Sequence, residues 1–558
     1  MPRYVGKHLL LELLLAEGVD TIFGNPGTTE SPLMDALQDY PQFRYVLSLH
    51  ESVATAAADG YARASGKVGF VNVHIAPGVG NATSMLYDAY RGGTSLVVTA
   101  GQTDVRLNHG DAHLSGDLVQ MTKQYTKYSA EVLDLAQMAP MVRRAFKTAA
   151  EAPKGPTFLS LPWNVCDEEI DAEVRPAPPS YGQNRPDSAA IARAAELLAR
   201  ARAPLMLVGD RVADSGGASE AAALAELIGA RVYAITYAAM NFPTSHRQYL
   251  GILNSNAPGS RAILNGADAI LAVGCNLFPQ YTYLGAPLLN SSIPLIHLDS
   301  NQSEIGKNFA AEVGILADPK LGLAEIGQAI ESWQSPTDRE AAASRRDQAA
   351  ALKQRQAEAF DRELRLNWAK SPIHPARLAH EIARNLPPEA IVVDEAITTS
   401  GPLHSAMTFD RPDSYVRIRG GAIGWGVGAA LGVQIAKPDR PVVAVLGDGS
   451  AMYSIQGLWT AAHDRLPLTY IICSNHAYRI LKLNLLNYLG EGGRPSAFVG
   501  MDLRNPDLDF AALAKAFGLQ SERIEQPDDL GPALQRAIKH DGPSLLDVQL
   551  DGSYKNLF

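Results

Sequence analysis

The chain is poor in cysteine, in clustered positive charge and in long apolar runs, and each shortage removes a class of protein. Three cysteines in 558 residues, Cys166, Cys275 and Cys473, are too few and too widely spaced for a disulfide framework or a CxxC metal site. A reducing compartment, the cytoplasm, is the expected location. The formal net charge is -10 and no stripe of Lys and Arg is present, so no nucleic-acid partner is expected. The leucines at 9–11 and 13–15 are interrupted by Glu12 and closed by Glu17-Gly18. They predict a buried first helix rather than a signal peptide, and no run reaches the ~18 apolar residues that a membrane span needs. Small molecules are left as the expected partners.

What the sequence does contain is alternation. Short apolar runs alternate with helical stretches almost throughout, which predicts parallel sheets covered by helices on both faces. In the first block, strands are expected at Val19–Phe23, Tyr45–Leu49, Gly69–Val73, Leu96–Thr99 and Thr157–Leu161. A proline-rich linker, Arg175 to Pro186, leads to strands at Leu205–Val208, Arg231–Ile235, Ile270–Val273 and Leu295–Leu298. After a charged, alanine-rich helical connector, Asp338 to Leu366, come strands at Ile391–Val393, Val442–Leu446, Thr469–Cys473 and Ser544–Val548. The expected fold class is α/β, with three doubly wound parallel-sheet domains at 1–174, 187–335 and 370–558. Gly155-Pro156-Thr157-Phe158-Leu159 is echoed by Gly542-Pro543-Ser544-Leu545-Leu546, which suggests one architecture for the two outer domains.

The strongest chemical signal is Gly447-Asp448-Gly449-Ser450, directly after one strand, with Asn475 directly after the next. Both polar groups then emerge at carboxyl ends of parallel strands, where ligands bind in open α/β sheets. Glycines let backbone approach a phosphate, while Asp448 and Asn475 offer hard oxygens to a small divalent cation. A lone Asp-Gly pair is usually only a tight turn; the amide after the adjoining strand sets this one apart. Glu51, taken alone, is an acidic residue at a helix start, where the dipole favours it.

The Asp448–Asn475 spacing resembles the signature of thiamine diphosphate (ThDP)-dependent enzymes. That resemblance implies Mg2+ on Asp448, Asn475 and the carbonyl of Ala477, with Ile397, Thr398, Gly447, Gly449, Ser450 and Tyr478 beside the cofactor. It implies that Glu51 faces the aminopyrimidine ring and helps activate it, and that the carbonyl of Gly421 and the side chain of Ile423, in Gly420-Gly421-Ala422-Ile423-Gly424, hold the cofactor bent. Within these enzymes the chain most resembles the benzoylformate decarboxylases, over essentially its whole length. Phe23-Gly24-Asn25-Pro26-Gly27, Asn72-Val73-His74, Pro77-Gly78-Val79-Gly80-Asn81-Ala82, Thr99-Ala100-Gly101-Gln102 and Leu458-Trp459-Thr460-Ala461-Ala462 carry the likeness.

In that likeness His74 assists proton transfer, a task suited to imidazole, and Thr28 replaces a serine that binds the substrate carboxylate. A second catalytic histidine is missing: the position falls near Tyr281, in Phe278-Pro279-Gln280-Tyr281-Thr282-Tyr283. A phenol is a poor proton shuttle at neutral pH. His113, in the loop Asn108 to Gly116 where the related pyruvate decarboxylases carry a histidine pair, is a candidate replacement. Arg417 and Asn484 stand where the decarboxylases have aromatic residues, with Ile480 nearby. Arg417 either faces an anionic group on a polar or carboxylated substrate, or pairs with a carboxylate of the protein itself.

The leading expectation is a ThDP- and Mg2+-dependent decarboxylase of a 2-oxo acid, giving an aldehyde. The alternative is a carboligase or 2-hydroxyacyl-CoA lyase, a relative of acetolactate synthase, in which another acceptor replaces the proton; loss of the second histidine favours it. Retention of Glu51 argues against a non-catalytic subunit. The resemblance further implies a homodimer at minimum, commonly a tetramer, with Glu51 and Asp448 of one site coming from different chains. Gly209 and Gly274, after strands of the middle block, suggest a nucleotide-binding-like fold without establishing a nucleotide. Residues 485–501 read as a candidate lid, and the C-terminal Ser553–Phe558 as a possible cover.

Overall fold

The computed structural model describes residues 1–178, 182–255, 259–279, 287–490, 493 and 495–553. The polypeptide divides into two compact units: Met1–Ser180 with Asn367–Leu403 and Val416–Phe558, and Tyr181–Leu366 with His404–Tyr415. The first unit contains two six-stranded sheets and the second contains one.

In the N-terminal sheet the strands lie in the order Arg44–Leu47, Thr21–Asn25, Gly69–Val73, Leu96–Gln102, Thr157–Pro162, Tyr128–Glu131, all paired in parallel. The C-terminal sheet runs Tyr415–Arg417, Ile391–Glu395, Val442–Gly447, Leu468–Ser474, Ser544–Gln549, Gln520–Ile524. Counted within each sheet, both follow the order 2-1-3-4-6-5. The echoed Gly-Pro segments precede the same strand in each, so the repeat marks a shared topology. Central strands such as Gly69–Val73, Leu96–Gln102 and Leu468–Ser474 are buried along their whole length, as expected for parallel strands covered on both faces.

Within the first unit, helix Glu51–Ser65 packs on helix Trp425–Ala436 with almost no side chain between them. A Cβ on Gly432 would lie 1.8 Å from the carbonyl oxygen of Ala57, one on Gly428 2.7 Å from that of Val53, and one on Gly60 2.2 Å from that of Ala429. The seam therefore depends on glycine and alanine, and it ties the helix that begins with Glu51 to the C-terminal sheet. The leucine run forms helix Gly6–Ala16, with Leu9, Leu10, Leu11, Leu13 and Leu14 in the core.

The second unit carries the sheet order 3-2-1-4-5-6 of dinucleotide-binding folds, from Tyr249–Ile252 through Arg231–Ala234, Pro204–Val208, Ala269–Val273 and Leu295–Asp299 to Val313–Leu316. Its switch-point glycines serve packing here. A Cβ on Gly209 would lie 2.4 Å from the carbonyl oxygen of Gly274, and Arg211 beside it makes two 2.7 Å bonds to the buried Asp299. Residues 336–366 form one long helix, Pro336–Leu366. No helix among the described residues is long and apolar enough to cross a membrane, and Cys166, Cys275 and Cys473 are free and buried.

Candidate active site

Both sheets of the first unit reverse strand order between their first and third strands, and chemistry-bearing residues gather at the carboxyl ends there. In the N-terminal sheet, Thr21–Asn25 leads into Gly27 and the turn Thr28–Glu30, and Gly69–Val73 leads into His74. The two segments touch: a Cβ on Gly27 would lie 2.2 Å from the His74 ring, so only glycine allows the approach. Thr28, exposed at the start of the turn, is thereby placed beside His74.

Glu30, 2% exposed, organises this corner. It accepts hydrogen bonds from the Gly27 N–H at 2.9 Å, the Gly101 N–H at 2.7 Å and the Thr29 hydroxyl at 3.0 Å, and its Oε2 lies 2.8 Å from Nδ1 of His74. Sequence reasoning missed it. The available signal was an acid three residues after Gly27 at a helical turn, the spacing of a capping box.

Glu51 opens helix Glu51–Ser65 and is 6% exposed. Asn81 donates to Oε2 at 2.9 Å and Asn25 to Oε1 at 3.3 Å, while Gly78 leaves the room that a Cβ would take 3.1 Å from Oε1. Two amides and a bare backbone therefore fix the direction of this carboxylate. Asn25, Gly78 and Asn81 all lie in segments that carried the family likeness, but with no role attached.

In the C-terminal sheet, Asp448 follows strand Val442–Gly447 and is 3% exposed. Its Oδ1 accepts the Gly449 N–H at 2.8 Å and its Oδ2 the His476 N–H at 2.6 Å. Burial raises the carboxyl to about 6, against the lowering effect of those N–H groups. Asn475 follows the adjoining strand, and its Oδ1 accepts the Ala477 N–H at 3.1 Å. Asp448, Asn475 and Ala477 are thus gathered by one backbone turn. Tyr478 closes the group: a Cβ on Gly449 would lie 2.4 Å from its ring, and burial raises its phenol. Ser450 is buried in the short helix that Asp448 opens, Asp448–Met452.

Ile397 and Thr398 follow Ile391–Glu395 across the switch point from Asp448, both half-buried. Ile397 has φ +48°, a left-handed conformation that is strained for a β-branched residue and is typical of functional turns. Gly421 has φ +95° and open space where a Cβ would stand, and Ile423 is half-buried beyond it. Glu395, fully buried, accepts the N–H groups of Gly424 at 2.7 Å and Gly426 at 2.6 Å, and burial raises it to about 7. It was missed as well, although a charge ending an apolar strand requires partners.

Arg417 lies with Nε 3.6 Å from Oδ2 of Asp394, a carboxylate with no exposed surface. Its charge has a partner in the chain itself, so the argument from a lone guanidinium to an anionic substrate loses its premise. Ile480 and Asn484 share one face of helix Arg479–Leu489. His113 is exposed in its loop. Tyr281 lies outside the described residues, as do 491, 492 and 494 of the candidate lid and residues 554–558.

The residues fit the implied groups. Among the described residues no cluster of three or more His, Cys, Asp and Glu forms a metal site. A cation at Asp448 would therefore rest on one carboxylate, one amide oxygen, one carbonyl and oxygens supplied from outside the protein, the set that Mg2+ takes with a diphosphate. The open space at Gly421 and the bare backbone at Gly78 leave room beside the polar atoms that would meet a cofactor.

Comparison with known proteins shows the family. Residues 5–127 match the thiamine pyrophosphate enzyme N-terminal TPP binding domain, 191–326 the central domain and 397–548 the C-terminal TPP binding domain. Benzoylformate decarboxylase of Pseudomonas aeruginosa is 31% identical over 96% of this chain and 97% of its own length. An acetolactate synthase large subunit of Parasynechococcus marenigrum is 30% identical over 98% of this chain and 87% of its own. The structure of a thiamine diphosphate-dependent 4-hydroxybenzoylformate decarboxylase of Rhodococcus jostii superposes with a TM-score of 0.85 at 28% identity, covering 98% of this chain and 99% of that one.

Proposed function

The chain belongs to the thiamine pyrophosphate enzymes, and on that premise we propose that it is a Mg2+-dependent, non-oxidative decarboxylase of a 2-oxo acid, releasing an aldehyde and carbon dioxide. The observation that carries the reading is the pairing of a buried, doubly anchored Glu51 with an imidazole, His74, whose orientation is fixed by Glu30. A carboxylate to activate the cofactor and a ring to return a proton are what decarboxylation to an aldehyde requires. ThDP, when bound, supplies the nucleophilic carbon and holds the electron pair left as carbon dioxide departs.

The protein's own groups do the rest. Asp448, Asn475 and the Ala477 carbonyl would hold Mg2+, with Gly447, Gly449, Ser450, Ile397, Thr398 and Tyr478 around the diphosphate. Glu51 would accept and return a proton at the aminopyrimidine, and Gly421 and Ile423 would set its position. Thr28 would hold the substrate carboxylate, His74 would deliver a proton, and Ile480, Asn484 and Arg417 would border the substrate. His113 or Tyr281 would supply the second proton-transfer group. A homodimer is the minimum assembly this reading requires, and a homotetramer suits it.

A second reading, carboligation or cleavage of a 2-hydroxyacyl substrate, is supported by the acetolactate synthase relative, whose identity is close to that of the decarboxylase. The test is carbon dioxide release from a panel of 2-oxo acids by protein loaded with ThDP and Mg2+, with and without an acceptor aldehyde or acyl-CoA. Free aldehyde without acceptor, abolished by Glu51→Gln, supports the decarboxylase. Turnover only with acceptor supports the second reading, and His113→Ala with unchanged turnover removes that histidine.

A further inference from the structure

Asp88 belongs to no motif and no part of the scheme above, yet it is 2% exposed and faces the Gly420–Gly424 turn. It lies on helix Ile75–Gly92, and its Oδ1 accepts the N–H of Ala422 at 3.2 Å. The fit is close: a Cβ on Gly420 would lie 1.9 Å from that same oxygen and 2.6 Å from Asp88 Cα. The N–H of Ala422 and the C=O of Gly421 belong to one planar peptide, and in the trans form they point in opposite directions. Holding the N–H inward on Asp88 therefore turns the Gly421 carbonyl outward, toward the open side of the turn.

We propose that Asp88 is a positioning residue for ThDP, fixing the peptide through which the Gly421 carbonyl meets the cofactor. The inference rests on the functional reading above, which gives that carbonyl its role. The surroundings of Asp88 explain why a carboxyl can do this from inside the protein. Its Oδ2 is buried with no hydrogen-bond partner. Asp59, from helix Glu51–Ser65, and Glu395, from the end of strand Ile391–Glu395, present negative charge to it, and Arg63 presents the opposing positive charge. Burial first, and then those two acids, raise Asp88 to about 8. At neutral pH it is a neutral acid, still able to accept the Ala422 N–H without placing an ion in the core.

The experiment is titration of ThDP into the metal-loaded protein, followed by intrinsic fluorescence, for the unaltered chain, Asp88→Asn and Asp88→Ala at pH 7. Asn keeps the shape and the acceptor oxygen without the charge; Ala removes both. The expected result is about tenfold or greater weakening for Asp88→Ala at pH 7 and about threefold or less for Asp88→Asn, in line with the loss of one buried hydrogen bond. Recovery by Asp88→Asn, which restores the acceptor oxygen, separates positioning of the turn from a general loss of packing. Folded Asp88→Ala that binds ThDP like the unaltered protein overturns the inference. If that variant does not fold, Asp88→Ser, too short to reach the Ala422 N–H, takes its place, and ThDP binding like that of the unaltered protein then overturns the inference. An unaltered protein that binds no ThDP overturns the functional reading itself, a different outcome.

Discussion

Nδ1 of His74 lies 2.8 Å from Oε2 of Glu30, and the contact decides which ring nitrogen is left for chemistry. A carboxylate only accepts, so Nδ1 carries the hydrogen and Nε2 is the nitrogen left to take up and deliver a proton. Thr29 fits the same assignment, since its hydroxyl is 3.0 Å from Oε1 of Glu30 and 3.1 Å from Nδ1. Glu30→Gln is expected to lower kcat by about ten- to a hundredfold, as loss of an orienting partner typically does. His74→Ala should lower it by about 10²- to 10⁴-fold, the range for a general acid–base group. Because Glu30 acts through His74, the double variant should be no slower than His74→Ala, and steady-state kinetics on a 2-oxo acid will show whether the effects combine in this way.

The second expectation concerns the metal. Chelation should remove activity and ThDP binding together, and Mg2+ should restore both. Asp448→Asn replaces the charged oxygen with a neutral one and leaves a geometry close to the original, so it should raise the Mg2+ concentration needed for half-maximal activity by about tenfold or more. An unchanged Mg2+ requirement would place the cation elsewhere.

Glu395 gives a pH signature. Burial holds its folded-state pKa at about 7, above the ordinary value of 4.5. The folded protein therefore binds this proton more tightly than the unfolded chain, and stability falls as pH rises from about 4.5 to 7. The shift corresponds to about 3 kcal/mol across that window. Glu395→Gln lacks the titration, so the unfolding free energy of the variant minus that of the unaltered protein should increase from pH 5 to pH 7 and level off above it. Urea unfolding at three pH values measures it, and a difference independent of pH would contradict the assignment.

Two glycine substitutions should have opposite effects. Gly432→Ala would drive a methyl to 1.8 Å from the Ala57 carbonyl oxygen between two backbones that have no side chain to move aside. Overpacking of that kind costs about 1–3 kcal/mol or more. Gly327→Ala, on helix Pro319–Glu331 with nothing within 4 Å of the new methyl, should stabilise by about 0.5–1 kcal/mol. Thermal melts of both variants test whether the seam, rather than glycine content, matters.

Much of the fold was legible because buried parallel strands read as unbroken apolar runs. Each of the thirteen runs predicted as a strand forms one, with ends shifted by at most three residues. The six-stranded sheets also contain Tyr128–Glu131, Tyr249–Ile252, Val313–Leu316, Tyr415–Arg417 and Gln520–Ile524, which the sequence reading did not find, and all five are edge strands. An edge is covered on fewer sides and admits Gln520, Glu522 and Arg523 where a central strand would not. The site divides on similar lines. Asp448 and Asn475 were legible because adjoining strands place them a fixed distance apart in sequence. Glu30, Asp88 and Glu395 were not, because each is held by backbone N–H groups, in Glu30 alongside Thr29 and His74, and no residue type marks a backbone partner. The Asp88 bond to Ala422 spans 334 residues, beyond any local pattern.

The glycine seam also imposes an order of events on synthesis. Asp59 on one helix and Trp425 on the other, joined by a 2.6 Å hydrogen bond, are 366 residues apart. At typical elongation rates the first helix leaves the ribosome on the order of 20 to 70 s before its partner exists. Through that interval the face formed by Val53, Ala57 and Gly60 lacks the helix that packs on it in the folded protein.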